Sequence, residues 1–489
     1  MGIDSLSCYV GGKIVRAEDR PEQALKIMSL DGTESISAVQ SNASQIRQAI
    51  RSSEEYQKIL DKTTLDERIQ VAHMLLKEYA KAKWIVAKNL AIFRGQVAKD
   101  SYWMCELIAQ WAEELETFVA TVFGESGNLL SAEVRSVIGN YGTIVWQSKG
   151  VAAMYSAASM DGPPNITALC HGIISGTHII LRPSWRDTVT HLAFDILYKR
   201  GLHEYAQLVR WPSASEEGAQ NNKQLLNNVK QGLIFSSDET YTELMNSMAL
   251  EGSESWRNLI RRYRWYGSGL PLNIVTDVDS VDKVANNLVA GARLGCGHFC
   301  LSTTPVMVQK DVYPQLVEAV IATAKQLRAG SMLDPQTELP SYDPSEVEAI
   351  RRALNLFGGN LKHGSFHPRS MDVMILTDVP LGSPCLHVEI GAPVLALIPF
   401  DDIQDAIKAA NAALSKNQRE AWTALSVHGE YAKFDILRTS IPNYRALFGG
   451  VVAEGNLFLP HQGTYFVLDL MRRTTVEDIS ALSQVESAS

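Results

Sequence analysis

The chain reads as an α/β protein built on two parallel sheets. Three observations carry that expectation. From residue 150 onward, strand-like runs (150–156, 178–182, 205–209, 232–235) alternate with helix-like runs (163–169, 188–199). Strand, helix and strand joined by short turns give a parallel sheet covered on both faces. The rhythm restarts at strand 305–308 and helix 312–328, and closes with strands 371–376 and within 389–400 and a helix over 401–415. A length of 489 residues is enough for two or three full cores.

The remaining elements follow in chain order. Residues 7–15 make a short strand pair turned at Gly11-Gly12, and Ser41-Asn-Ala-Ser opens a helical region running from about Gln45 to Gly124. Within it, Leu75, Leu76, Tyr79, Ala80 and Ala82 mark one apolar face and Trp103, Ile108, Trp111, Leu115 and Phe118 another, read as core packing rather than a cofactor box. Residues 134–145 form a hairpin around Gly139-Asn140-Tyr141-Gly142. No Gly-x-Gly-x-x-Gly follows the first strand, so the ordinary dinucleotide fingerprint is missing. The tail 463–471 reads as an apolar strand with nothing left in its own domain to pair with.

Composition narrows the function. With 46% hydrophobic and 20% charged residues the chain is soluble and globular. A net charge of −9 and a pI of 5.7 argue against a nucleic-acid or anionic-membrane binder. The six cysteines follow no disulfide or zinc spacing, which points to no metal and to a reducing, cytoplasmic compartment. The first residues, Met1–Cys8, do not read as a signal peptide, and no apolar run reaches the ~18–20 residues of a membrane span.

The chemistry is expected in residues 291–300, Gly-Ala-Arg-Leu-Gly-Cys-Gly-His-Phe-Cys. They end a helix over 280–292 whose apolar face carries Val281, Val284, Leu288 and Val289. Gly295 and Gly297 break that helix and deliver Cys300 to a loop, where a thiolate is a strong nucleophile. Read alone, Cys300 is more readily a small buried hydrophobe, as most free cysteines are. Cys296 reads as a packed core thiol.

Three blocks give the chain a resemblance to the aldehyde dehydrogenase superfamily. Residues 291–300 resemble its Gly-Ala…Gly-Gln-x-Cys nucleophile block. Glu389-Ile-Gly-Ala-Pro-Val-Leu, continued by Pro399-Phe-Asp-Asp, resembles its Glu-Ile-Phe-Gly-Pro-Val motif. The stretch 150–183 fits the block from its Pro-Trp-Asn segment to its Lys-Pro segment. The resemblance implies two Rossmann-like parallel-sheet domains: an NAD(P)-binding domain over 1–133 and 148–265 and a catalytic domain over 266–450. It further implies a small β oligomerisation arm over 134–147 and 451–489, and a homodimer or homotetramer. It makes Cys300 the nucleophile, gives Glu389 the nicotinamide ribose, and puts Arg182, Ser184 and Ser236 along the cofactor.

The chain departs from that pattern at several points. The family's general-base Glu falls on Tyr266, its oxyanion-holding Asn on Ser159, the Gln before the nucleophile on His298, and the cofactor Lys on Arg182. The Phe-Thr-Gly-Ser turn becomes Ile234-Phe-Ser-Ser, and an acidic residue becomes Trp185, a loss that admits NADP beside NAD. A tyrosine is a poor base at neutral pH, so an acyl-enzyme on Cys300 would outlast attack by water. That favours an enzyme interconverting an aldehyde and an acyl thioester, with coenzyme A or an acyl-carrier domain as partner. Ordinary oxidation to the acid and a non-catalytic scaffold are the alternatives. His298 is either a partner for the thiolate or a loop histidine satisfied by backbone. The basic run through Arg261, Arg262 and Arg264 reads as a solvated helix face rather than a grip on phosphates.

Overall fold

Two seven-stranded sheets organise the computed structural model, which describes residues 3, 5–123, 134–138, 142–212, 215–249, 256–368, 370–417, 419–451 and 461–476. The first sheet runs in space Tyr263–Tyr266, Gln231–Phe235, Ala152–Tyr155, Ile179–Arg182, Ala206–Leu208, Cys8–Val10, Lys13–Val15. Its first five strands are parallel, and the N-terminal hairpin closes it antiparallel. The second runs Asn360–His363, Met374–Thr377, Val394–Phe400, Pro305–Gln309, Pro271–Val275, Ala424–His428, Ala446–Phe448, parallel except at its first strand. The two parallel sheets anticipated from the strand–helix rhythm are therefore present.

Local chemistry explains the joints. The helix Pro163–Ser175 starts with two prolines, where a missing N–H costs nothing, and stops at Gly176 in the left-handed region. Every residue of that helix is buried, which is why it carries no polar face. The helices Ala43–Leu60 and Leu65–Lys81 each begin with a capping box, from Asn42 with Gln45 and from Thr64 with Glu67. The helix Val281–Arg293 is capped by Ser280 and buries Val284, Leu288 and Val289, as the apolar spacing requires.

Some elements differ from the sequence reading. A three-stranded sheet of Ser5–Leu6, Ser35–Val39 and Ala24–Met28 was not anticipated. The hairpin strands Val134–Ile138 and Gly142–Ser148 pair antiparallel as expected, while its turn, 139–141, lies outside the described residues. The expected tail strand over 463–471 is a correction: Phe466–Asp469 is a helical turn, and the strand begins only at Met471. Phe466, Val467 and Leu470 are buried among Phe235, Tyr266 and the helix Pro163–Ser175, so the chain's own core satisfies them. Burial of each such side chain stabilises by ~1.5–3 kcal/mol, which outweighs the strand propensity of a short apolar run. The strand Met471–Val476 then pairs with Gly142–Ser148 and completes a three-stranded arm with Val134–Ile138. No helix among the described residues is long and apolar enough to cross a membrane.

Candidate active site

The carboxyl ends of the parallel strands of the first sheet open into one cavity of about 190 Å³, the place where such sheets hold ligands. Ala157 and Ser159 reach it after the strand Ala152–Tyr155, Ser236 and Ser237 after Gln231–Phe235, and Gly267 and Ser268 after Tyr263–Tyr266. The second sheet contributes the loop that carries Cys300 and the turn that carries Glu389.

The loop is shaped by its backbone. After the helix Val281–Arg293, Gly295, Cys296 and Gly297 take φ of 61°, 64° and 70°, which reverses the chain. At Gly297 a Cβ would stand 2.3 Å from the Ala392 carbonyl carbon, so glycine is required by both φ and space. Cys300 then lies against Gly269, where a Cβ would meet the Cys300 carbonyl oxygen at 1.5 Å. Of the six cysteines only Cys300 keeps accessible surface, and it lines the cavity. Surrounding protein nonetheless pushes its thiol up to about 12, with the carboxylate of Glu389 adding to the shift. The Cys300 backbone amide beside the sulfur opposes that rise.

Glu389 precedes the strand Val394–Phe400 and accepts a hydrogen bond of 3.1 Å from the Gly269 N–H. Burial raises its carboxyl to about 7, against the pull of Ser268 and Gly269. The segment that supports the nucleophile therefore also anchors this acid.

Tyr266 lines the cavity with its ring stacked on Phe235 at 5.0 Å and its hydroxyl donating to the Asp469 carboxylate. Burial, then Asp469, holds the phenol well above its ordinary value. Ser159, in the turn Ala158–Met160, and Ser236, whose N–H donates to the Tyr266 carbonyl at 3.3 Å, face the same cavity.

Three anticipated residues lie elsewhere. His298 packs edge-on to Tyr342 at 5.5 Å, and burial lowers its imidazole to about 3. As a partner for Cys300 it is therefore corrected. The histidine at the sulfur is His461, whose Nε2 stands 3.6 Å from Cys300 Sγ. The Arg182 guanidinium donates to the Trp211 carbonyl at 2.9 Å beside the rings of Tyr155 and Trp211, and Arg182 does not line the cavity. Ser184 donates to Asp161 at 2.7 Å within a buried polar cluster.

Two groups of lining residues escaped the sequence reading. Trp103, Met104, Leu107, Ile108 and Trp111, on the helix Ala98–Glu113, form the apolar wall. The aromatic stripe read as core is thus divided: Ile108, Leu115 and Phe118 are buried, while Trp103 and Trp111, with one side of Ile108, line the cavity. The other group is His461, Gln462 and Phe466 from the C-terminal segment. No motif announces these residues; their signal is one histidine just ahead of an apolar run. Of the basic run, Arg262 donates to the Val229 carbonyl and Arg264 to the Gln462 carbonyl, so both are engaged within the fold.

Comparison with known proteins agrees with this architecture. The lactaldehyde dehydrogenase of Methanocaldococcus jannaschii is 21% identical over 464 residues, 92% of each chain. The aminoacetaldehyde dehydrogenase of Pseudomonas aeruginosa is 29% identical over 181 residues, 35% of this chain and 36% of that one. Among solved structures, an indole-3-acetaldehyde dehydrogenase complexed with NAD+ superposes with a TM-score of 0.81 at 14% identity, over 98% of this chain and 97% of that one. Aldehyde dehydrogenase 21 from Physcomitrella patens, in complex with succinate, gives 0.80 at 16% identity, over 98% and 99%. The aldehyde dehydrogenase family model matches residues 16–432, and this chain belongs to that family.

Proposed function

We propose that this chain interconverts an apolar aldehyde and the corresponding acyl thioester, using NAD or NADP, through an acyl group carried on Cys300. The observation that carries the reading is the content of the cavity: one accessible thiol, apolar walls, and a tyrosine where hydrolysis would want a carboxylate. An apolar cavity of ~150 Å³ holds benzene, so the ~190 Å³ here suits an acyl group of about one aromatic ring. Trp103, Ile108, Trp111 and Phe466 would bury it. Ser159 and the Cys300 N–H are the donors for the oxygen that gains charge when the sulfur adds. Tyr266 keeps its proton in a hydrogen bond to Asp469 and cannot take one from water at neutral pH, so the acyl group is left for a thiol such as coenzyme A or a carrier-bound one.

The donor set fits a nicotinamide dinucleotide at the ribose end. Glu389 offers a buried acceptor to sugar hydroxyls, and Ser236 and Ser237 offer donors at the strand's carboxyl end. Bound there, the cofactor would accept or supply the hydride. Arg182 has no part in this reading, because it does not line the cavity. Assembly into dimers or tetramers through the three-stranded arm belongs to the same proposal and is read by light scattering.

A second reading, release to water, is favoured by one observation: His461 stands 3.6 Å from the sulfur and is a base. Products separate the two. Aromatic and medium-chain aldehydes are incubated with NAD+ or NADP+, with and without coenzyme A. Acyl-CoA formed only with the thiol supports the first reading, and free acid at an equal rate without it supports the second. No acyl adduct on Cys300 by mass spectrometry with any acyl-CoA, together with no cofactor binding by calorimetry, would overturn both and leave a non-catalytic relative.

A further inference from the structure

We propose that His461 is the base that takes the proton of the Cys300 thiol as the sulfur attacks a carbonyl carbon. The proposal rests on Cys300 being the nucleophile and adds a catalytic residue from the far end of the chain.

The geometry is specific. Nε2 of His461 lies 3.6 Å from Sγ, within reach of a sulfur hydrogen bond, and both residues line the cavity. The imidazole is held in place on several sides. The His461 backbone N–H donates to the Thr464 carbonyl at 2.7 Å, closing a turn through Gln462 and Gly463. Gln462 ties that turn to the Gly267 carbonyl at 3.2 Å, and Arg264 donates to the Gln462 carbonyl at 3.0 Å. The ring packs against Tyr266 at 5.8 Å and Phe466 at 5.7 Å.

The charged neighbours define the resting state. Burial, with Arg445 adding to it, lowers His461 to about 4. Glu389 and burial raise Cys300, Arg419 opposes that, and Tyr266 is engaged with Asp469. Both shifts disfavour a thiolate–imidazolium pair, so the site rests as a neutral thiol beside a neutral imidazole. The proton must then move during attack. The Sγ–C bond forms as the Sγ–H bond breaks, the proton passes to Nε2, and the carbonyl π pair goes to the oxygen. With Nε2 the acceptor, the imidazole carries its proton on Nδ1.

Glu389 is the rival base, and pH separates the two. A base that is neutral above about pH 4 gives a labelling rate independent of pH from about 6 to 9. Reliance on Glu389 would give a break near its value of about 7. With no base the rate rises about tenfold per pH unit, following the thiolate fraction.

The test is alkylation of Cys300 in the full-length protein by iodoacetamide, followed by peptide mapping across that pH range, for wild type, His461→Gln and His461→Ala. The expected result is a flat wild-type profile and a variant rate lower by about 100-fold at pH 7 with a tenfold-per-unit slope, since general-base help is worth ~10²–10⁴. Added imidazole should restore rate to His461→Ala. Variants within about threefold of wild type, or a wild-type profile that breaks near pH 7 or rises tenfold per unit, would overturn the proposal. Should both variants fail to fold, the wild-type profile alone decides. Failure of Cys300 to label at all in wild type would instead overturn the nucleophile reading.

Discussion

Gly269 tests the placement of the nucleophile, because the consequence of filling its space can be worked out from the backbone alone. An alanine Cβ there would stand 1.5 Å from the Cys300 carbonyl oxygen, 2.2 Å from its carbonyl carbon and 2.5 Å from its Cα. Cβ atoms do not approach other heavy atoms within 3.0 Å, and both partners here are backbone, so the two segments must part by about 1.5 Å. Gly269 lies outside the left-handed region, so the cost is steric and not conformational. Overpacking of this kind costs ~1–3 kcal/mol of stability. A reacting atom misplaced by about 1 Å loses ~10²-fold in rate. Gly269→Ala also moves the N–H that holds Glu389. The expected outcome is a loss of about 100-fold in acyl adduct formation on Cys300, with a folded protein by urea titration. Gly382→Ala is the control: nothing lies within 4 Å of its Cβ, so it should stay within ~1 kcal/mol and keep full acylation. Adduct formation by Gly269→Ala within about threefold of wild type would refute the claim that this contact sets the sulfur's position.

Glu389→Gln should stabilise the protein at alkaline pH. The folded-state value of about 7 lies above the ordinary 4.5, so between these the native state holds a proton that the unfolded state has lost, and stability falls as pH rises through that window. The variant should therefore gain up to ~3 kcal/mol over wild type at pH 8 and nothing below about pH 4, by urea titration; a constant difference would contradict it. Tyr266→Phe removes a donor from Asp469, which keeps Thr464 at 3.2 Å. A loss of ~1–3 kcal/mol is expected at pH 7, shrinking in acid as Asp469, whose carboxyl is raised by burial, takes its proton; an unchanged unfolding midpoint at pH 7 would count against it. Deletion of 463–489 should leave the protein insoluble, because Phe466, Val467 and Leu470 sit in its own core. A soluble truncation with the wild-type melting temperature would refute that.

The strand–helix rhythm was legible because buried parallel strands read as continuous apolar runs, as 152–155 and 394–398 do. Cys300, Glu389, Ser159, Ser236 and Tyr266 were findable because motif order places them, and all five face one cavity. His298 was open between two readings, and it packs on Tyr342 and does not line the cavity that holds Cys300. Arg182 misled because sequence cannot tell an arginine at a strand end from one folded back onto Trp211. The stripe at 103–118 was ambiguous in kind: helical periodicity marks an apolar face but not whether a neighbouring side chain or an open cavity covers it.

The C-terminal segment joins these differences. Within nine residues it puts His461 on the sulfur, packs Phe466 against Tyr266, and sets Asp469 on the Tyr266 hydroxyl. A carboxylate at 266 would face Asp469 inside an aromatic nest with Glu389 across the cavity, and burial would hold it protonated. A tyrosine is stable there because its ring joins Phe235 and Phe466 while its hydroxyl satisfies the buried acid. Tyr266→Glu alone is therefore a poor way to create a water-activating base, although the sequence suggests it. The substitution would need Asp469→Asn beside it to remove the second charge, while the imidazole already stands 3.6 Å from the sulfur.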